Sequence, residues 1–278
     1  MPLFRRFDGD LVPRVSLTRA VMPYIMRTRA ESVVYFEQEL DVTRALEFAA
    51  ERRAADGAHV TLFQMFTFAV VQTLAARPRL NRFTSGGRVY QRRAIQLGFS
   101  AKKSMRDDAP MVAIKRTFDP AHDFDAHRER LASGVSEGRS SEPNATEREL
   151  SILLRLPGFV LALFVWLARW LDAHNLLPEA LIGDDPLYAS VFVANLGSVG
   201  LDAVYHHLYE WGNCPIFTTL GRVREETREG VTRQLCTVRY TFDERIEDGL
   251  YCARALDLLR ARIEAWPAEA EAADAAAA

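Results

Sequence analysis

The sequence predicts a soluble α/β domain, and three observations carry the prediction. Short segments rich in β-branched and aromatic residues alternate with longer segments whose apolar residues recur at helical spacing. Gly, Pro, Ser and Asn clusters punctuate them, with no internal repeat. The 278-residue chain is 49% hydrophobic, enough apolar surface to offset the entropy of ordering most of its length. One α/β core can absorb that length, so one large domain with tails is expected.

Taken in order, residues 1–14 read as a polar lead-in ending beside Pro13. From Ser16 to Arg29 apolar residues recur at helical spacing with Ser16 as N-cap, although Pro23 interrupts. Ser32 to Asp41 reads as a strand, residues 41–53 as a helix, and Thr61 to Ala76 as a helix apolar nearly all round, which belongs in a core. Pro78 stops it, and Ser85-Gly86-Gly87 marks a hairpin turn. Strands are expected over 88–90, 94–100 and 111–116, a charged helix over 120–131, and a turn-rich loop over 134–147.

An apolar helical insertion is expected over about 150–177. Its apolar run, Leu156 to Ala168, is 13 residues long, short of the ~18 that cross a bilayer. It reads as a buried core helix by length, with a subunit contact or a membrane-surface contact through 156–170 as alternatives, because Trp166, Arg169 and Trp170 gather at one end. Strands follow at 189–194, 215–223 and 234–241, then a closing helix over 248–265 and a disordered tail over 266–278.

Formal net charge is −2, so no basic excess attracts nucleic acid through counterion release. Cys214, Cys236 and Cys252 have no paired spacing and read as buried apolar thiols. The first residues lack an apolar secretory core, and a cytoplasmic location is expected.

Two late segments stand out: Val193-Ala194-Asn195-Leu196-Gly197-Ser198, and Phe242-Asp243-Glu244-Arg245-Ile246-Glu247-Asp248-Gly249. Together they resemble the catalytic domain of the dihydrolipoyl acyltransferases of 2-oxoacid dehydrogenase complexes, relatives of chloramphenicol acetyltransferase. That family carries Ser/Thr-Asn-Leu-Gly about fifty residues before Asp-His-Arg-x-x-Asp-Gly, and positions 194 and 244 are fifty apart here. Residues 18–26 and 78–81 extend the resemblance over about 15–265. It implies a two-layer α/β sandwich with a mixed sheet, forming a trimer whose active channel lies between subunits and which builds cages around partner subunits or cargo. The chain before Ser16 is too short for lipoyl and peripheral-subunit-binding domains, so no swinging arm of its own is expected.

Two departures stand out against the family's chemistry. Its histidine, the general base toward a thiol, is Glu244 here. Glutamate is a base about two pKa units weaker than histidine, and it puts a negative charge beside an incipient thiolate. The Ser/Thr that donates to the oxyanion is Ala194, and losing one such donor costs ~10²–10³ in rate. Together they imply a scaffold that lost acyl transfer; alternatives are an acyltransferase using Glu244 as an altered base after burial raises its pKa, and weak residual transfer. Coenzyme A is then not required, although Asn195, Gly197 and Ser198 are the candidates to bind it. By the same resemblance Asp248 braces the site through Arg19, and a helix N-terminal role for Asp248 is equally open.

Three other groups of residues have a reading of their own. His206 and His207 are adjacent and diverge in any regular structure, so no metal site is expected. Gly197-Ser198-Val199-Gly200 lacks the order and lysine of a phosphate loop. Arg88, Arg92, Arg93, Lys102 and Lys103 read as a solvated basic face, with phosphate or acidic-partner contact as the alternative.

Overall fold

Period-two alternation along the later strands sorts their side chains to opposite faces of one sheet, and that sorting organises the molecule. The structure, a computed structural model, describes residues 5–13, 16–102, 106, 111–139 and 154–268. Among these, strands β1 Gly9–Leu11, β2 Val33–Asp41, β3 Arg82–Ser85, β4 Arg88–Arg92, β5 Ile95–Lys102, β6 Met111–Phe118, β7 Val191–Asn195, β8 Ile216–Arg228 and β9 Val231–Asp243 form two sheets. The larger has the order β2-β9-β8-β7-β5-β6, and the smaller β1-β4-β3. Strand β7 runs parallel to both β5 and β8 while the other pairs are antiparallel, so the large sheet is mixed.

Helices α1 Leu17–Ile25, α2 Thr43–Asp56, α3 Leu62–Ala76, α4 Phe124–Arg139, α5 Gly158–Ala173, α6 Glu179–Ile182 and α7 Gly249–Glu264 complete the described chain. Helix α3 starts at a capping box in which Thr61 and Gln64 satisfy each other's backbone N–H. Its nearly all-round apolar surface is buried, as its composition predicts. Phe66, Val70 and Leu74 of α3, with Leu256 and Leu259 of α7, pack on Val191, Val193, Ile216, Val238 and Tyr240 of the sheet. This is a two-layer mixed α/β fold.

The opposite sheet face is covered by the segment running from Ala203 to Leu208. Thr219 and Thr241 donate through Oγ1 to the carbonyls of Val204 and His206 at 2.5 Å, and Arg239 Nη1 donates to Ala203 O at 2.5 Å. Leu208 closes a cluster with Phe192, Cys214 and Phe217.

Four expectations require correction. Helix α5 is not a core helix: Phe159, Leu163, Trp166 and Trp170 are exposed, and Ala168 is its buried residue. Apolar composition alone cannot say whether a neighbour covers a helix. The lead-in is not peripheral: Arg6 and Asp8 are buried, and Gly9–Leu11 pairs with β4. Nor does the fold stop at Ala265, because Trp266 is buried against Phe48, Phe68 and Phe124. Residues 134–139 continue α4, where a loop is expected. The rest of that loop and the tail beyond 268 lie outside the described residues.

Candidate functional site

The first hallmark segment ends β7 and turns back on itself. Alternation sends Val191 and Val193 to the helical layer and Phe192 and Ala194 to the other face. Asn195 Oδ1 accepts from Ser198 N at 3.2 Å, and Ser198 Oγ donates to Asn195 O at 2.8 Å. These bonds draw Asn195, Gly197 and Ser198 into one tight turn, closed by Gly200 at φ 78°. A Cβ on Gly197 would stand 2.4 Å from the carbonyl oxygen of Gly221, so the turn lies directly against β8. Asn195 Oδ1 and Ser198 Oγ are thus both engaged within the turn.

The second hallmark segment follows β9, and nearly every side chain in it has a structural partner. Arg245 makes a two-pronged pair with Asp243, Nε to Oδ1 at 2.8 Å and Nη2 to Oδ2 at 2.7 Å, with both residues buried. Arg245 Nη1 also donates to Met26 O at 3.1 Å, tying the stretch after α1 to β9. Glu247 is buried and pairs with Arg82 at 3.1 Å and Arg79 at 3.4 Å. Asp248 caps α7, accepting from Tyr251 N at 2.9 Å, and that bond, helped by the nearby charge of Arg19, holds its carboxyl below the usual range.

Arg19 does not brace Asp248 by a hydrogen bond; its guanidinium donates to the main-chain carbonyl of Glu244. The helix N-terminal role for Asp248 is therefore the one observed. Glu244 itself is half-buried, and its N–H donates to Ser32 O at 2.8 Å.

Within one chain the two hallmark positions do not meet. Ala194 pairs with Thr219 on β8, and Thr219 pairs with Arg239 on β9, five residues before Glu244. At ~3.3 Å per residue that is roughly 16 Å along the strand, with two inter-strand spacings of ~4.8 Å across it. A single copy therefore cannot present both to one substrate.

No family model matches the sequence, and no curated protein matches it. Solved structures do. A dihydrolipoamide acetyltransferase from Azotobacter vinelandii aligns over 94% of this chain and 99% of its own, with TM-score 0.60 and 13% identity. The catalytic core of a 2-oxoacid dehydrogenase complex from Thermoplasma acidophilum aligns over 92% and 98%, with TM-score 0.59 and 15% identity, and a chloramphenicol acetyltransferase over 92% and 98%, with 0.56 and 15%. The chain has a chloramphenicol acetyltransferase-like fold. The low identities fit a divergent copy of that architecture.

On this acyltransferase-like frame the other candidates resolve into packing. His206 lies flat on Phe217, with ring centroids 3.7 Å apart, and burial lowers its pKa. No metal-ligating cluster is found among the described residues. All three cysteines are free and buried, and burial pushes the Cys236 thiol up to about 11 and the Cys252 thiol up to about 12.

The basic cluster is not one solvated face. Arg92 is buried, donating to Asn213 Oδ1 at 2.6 Å and to Tyr188 O at 3.1 Å. Arg93 pairs with Asp10 on the surface at 2.6 Å, and Lys103 lies outside the described residues. No described helix is long and apolar enough to cross a membrane.

Sequence reasoning missed the role of Arg29. It is buried beside Arg245, and nothing local separates it from the exposed Arg27 two residues earlier.

Proposed function

We propose that this chain is a homo-oligomeric acyltransferase-fold protein that has lost acyl transfer and works by assembling, as a trimer or a larger cage, around partner subunits or cargo. One observation carries the reading. Positions 194 and 244 hold Ala and Glu on a frame whose remaining motif residues, Asp243, Arg245 and Asp248, all have structural partners. Retention of the motif then needs no catalysis to explain it.

Association is supported by exposed apolar side chains: Leu17, Tyr24 and Ile25 on α1, and Phe159, Leu163 and Trp166 on α5. One structural neighbour, with TM-score 0.54 at 12% identity, forms the cubic core of the pyruvate dehydrogenase multienzyme complex. We read α5 as a subunit contact; flotation with liposomes that depends on 156–170 would favour the membrane-surface reading instead. The buried, unpaired thiols are compatible with a reducing cytoplasm.

The second reading, acyl transfer with Glu244 as base, requires a desolvated carboxylate, whereas Glu244 is only half-buried in the chain. Acetyl transfer from acetyl-coenzyme A to dihydrolipoamide decides between them. The unmutated protein should show none, and Glu244→His with Ala194→Ser should create or raise a rate by ~10² or more, since one oxyanion donor is worth ~10²–10³. Turnover of ~1 s⁻¹ or faster by the unmutated protein, ordinary for an enzyme, would make the scaffold reading wrong.

A further inference from the structure

A cavity of about 200 Å³ opens between the end of α1, the Gly86-Gly87 turn, the last turn of α5 and the loop over 209–212. Four guanidinium groups line it, from Arg27, Arg29, Arg169 and Arg245, against two carboxylates, Asp172 and Glu210. Each neighbouring carboxylate is already engaged. Asp243 grips Arg245 through two hydrogen bonds, and Asp172 Oδ1 accepts from Arg6 at 2.8 Å. Glu210 lies 3.7 Å from Arg169 and accepts the backbone N–H of Arg29 at 2.8 Å.

Arg29 is what remains. It is 8% exposed, its Nη1 donates to the carbonyls of Tyr209 and Glu210 at 3.3 and 3.4 Å, and its buried Nε has no hydrogen-bond partner. Elsewhere the fold gives its buried arginines carboxylates: Arg6 has Asp8 and Asp172, and Arg245 has Asp243. Arginine stays charged when buried, and the carboxylates that act on Arg29, namely Asp243, Glu210 and Asp172, are each shared with another group, so no direct ion pair is found for it among the described residues.

We propose that this cavity binds a phosphate group, with Arg29 as its buried anchor and Arg27, Arg169 and Arg245 supplying the surrounding positive field. Even with Asp243 set against Arg245 the cavity keeps a positive excess, which suits an anion such as a phosphate monoester. Guanidinium forks suit phosphate oxygens, and a cavity of this volume holds a phosphate and a short substituent. A soluble ester and a lipid headgroup share this chemistry. The second source is relevant because Trp166, one helical turn before Arg169, is exposed on the same face of α5.

The test is thermal melting and calorimetry of the full chain in inorganic phosphate against chloride at equal ionic strength. Phosphate should raise the melting midpoint saturably and chloride should not. Arg29→Met should abolish the phosphate-dependent rise. Arg169 has a half-exposed side chain, so Arg169→Gln should fold and bind phosphate at least tenfold more weakly; it decides the matter if Arg29→Met does not fold. Co-sedimentation with phosphatidic acid vesicles but not phosphatidylcholine vesicles, lost in Arg169→Gln, would assign the site to a lipid headgroup. Phosphate binding without co-sedimentation would assign it to a soluble ester. Equal response to phosphate and chloride, or unchanged phosphate affinity in Arg169→Gln, would overturn the proposal.

Discussion

The two hallmark turns are built in opposite ways. The turn after β7 is exposed from Ser198 onward, is closed by local hydrogen bonds, and depends on a glycine lying against β8. The segment after β9 is mostly buried and, beside the local Asp243–Arg245 pair and the Asp248 cap on α7, is held by distant partners: Arg245 donates to Met26 O at the end of α1, and Glu247 pairs with Arg79 and Arg82. The comparison shows which residues of the two segments carry structure in this chain. Ala194 packs half-buried against the Phe192 cluster and Glu244 is half-buried, whereas Asp243, Arg245 and Glu247 are buried and paired.

The largest effect should come from the buried side of that comparison. Arg245→Ala leaves Asp243 buried without its cation and should cost about 3–5 kcal/mol in urea unfolding. A loss below ~1 kcal/mol would mean that the pair does not hold the segment. Next comes the close approach in the exposed turn. Gly197→Ala should lose about 1–3 kcal/mol, because the clash is with backbone that cannot rotate away. Gly200→Ala has open space around its Cβ and should cost about 1 kcal/mol, from its positive φ alone.

Asp248→Ala should cost about 1 kcal/mol at pH 7 as a lost N-cap. Because the folded state holds this carboxyl below its usual range, its contribution is present above about pH 4 and fades as pH falls through the lowered value. Asp248→Asn, which still caps, isolates the charge. Acid also destabilises the parent through His127, whose pKa burial lowers to about 3. The unfolded chain takes up that proton near pH 6.5 and the folded chain does not, so stability falls as pH drops from about 6.5 toward 3. The difference between parent and Asp248→Ala cancels that background. Smallest of all, Glu244→Gln should change stability by less than ~0.5 kcal/mol, as at a surface site.

How much of this was legible follows from what each signal reports. The apolar run over 61–76 and Ser85-Gly86-Gly87 are local signals, and their helix and turn formed there, while the strands expected at 215–223 and 234–241 run on to Arg228 and Asp243. The burial of Arg92 depends on Asp8 and Asn213, eighty-four and one hundred twenty-one positions away, and no local pattern carries that information. Trp266 opens a tail of alanines and acids with no apolar stripe, yet Phe48, Phe68 and Phe124 pack against it. Apolar periodicity marked α5 as a helix but could not say which surface meets it. The hallmark residues were legible by type and spacing, whereas their separation across the sheet follows from strand order, which spacing does not encode.

The most direct test is the mass of the purified protein in solution by light scattering. A retained frame that works by assembly predicts about 94 kDa, three times the 31.4 kDa chain, or a multiple of it. A particle of 31.4 kDa at micromolar concentration would contradict the account, because a single copy assembles nothing.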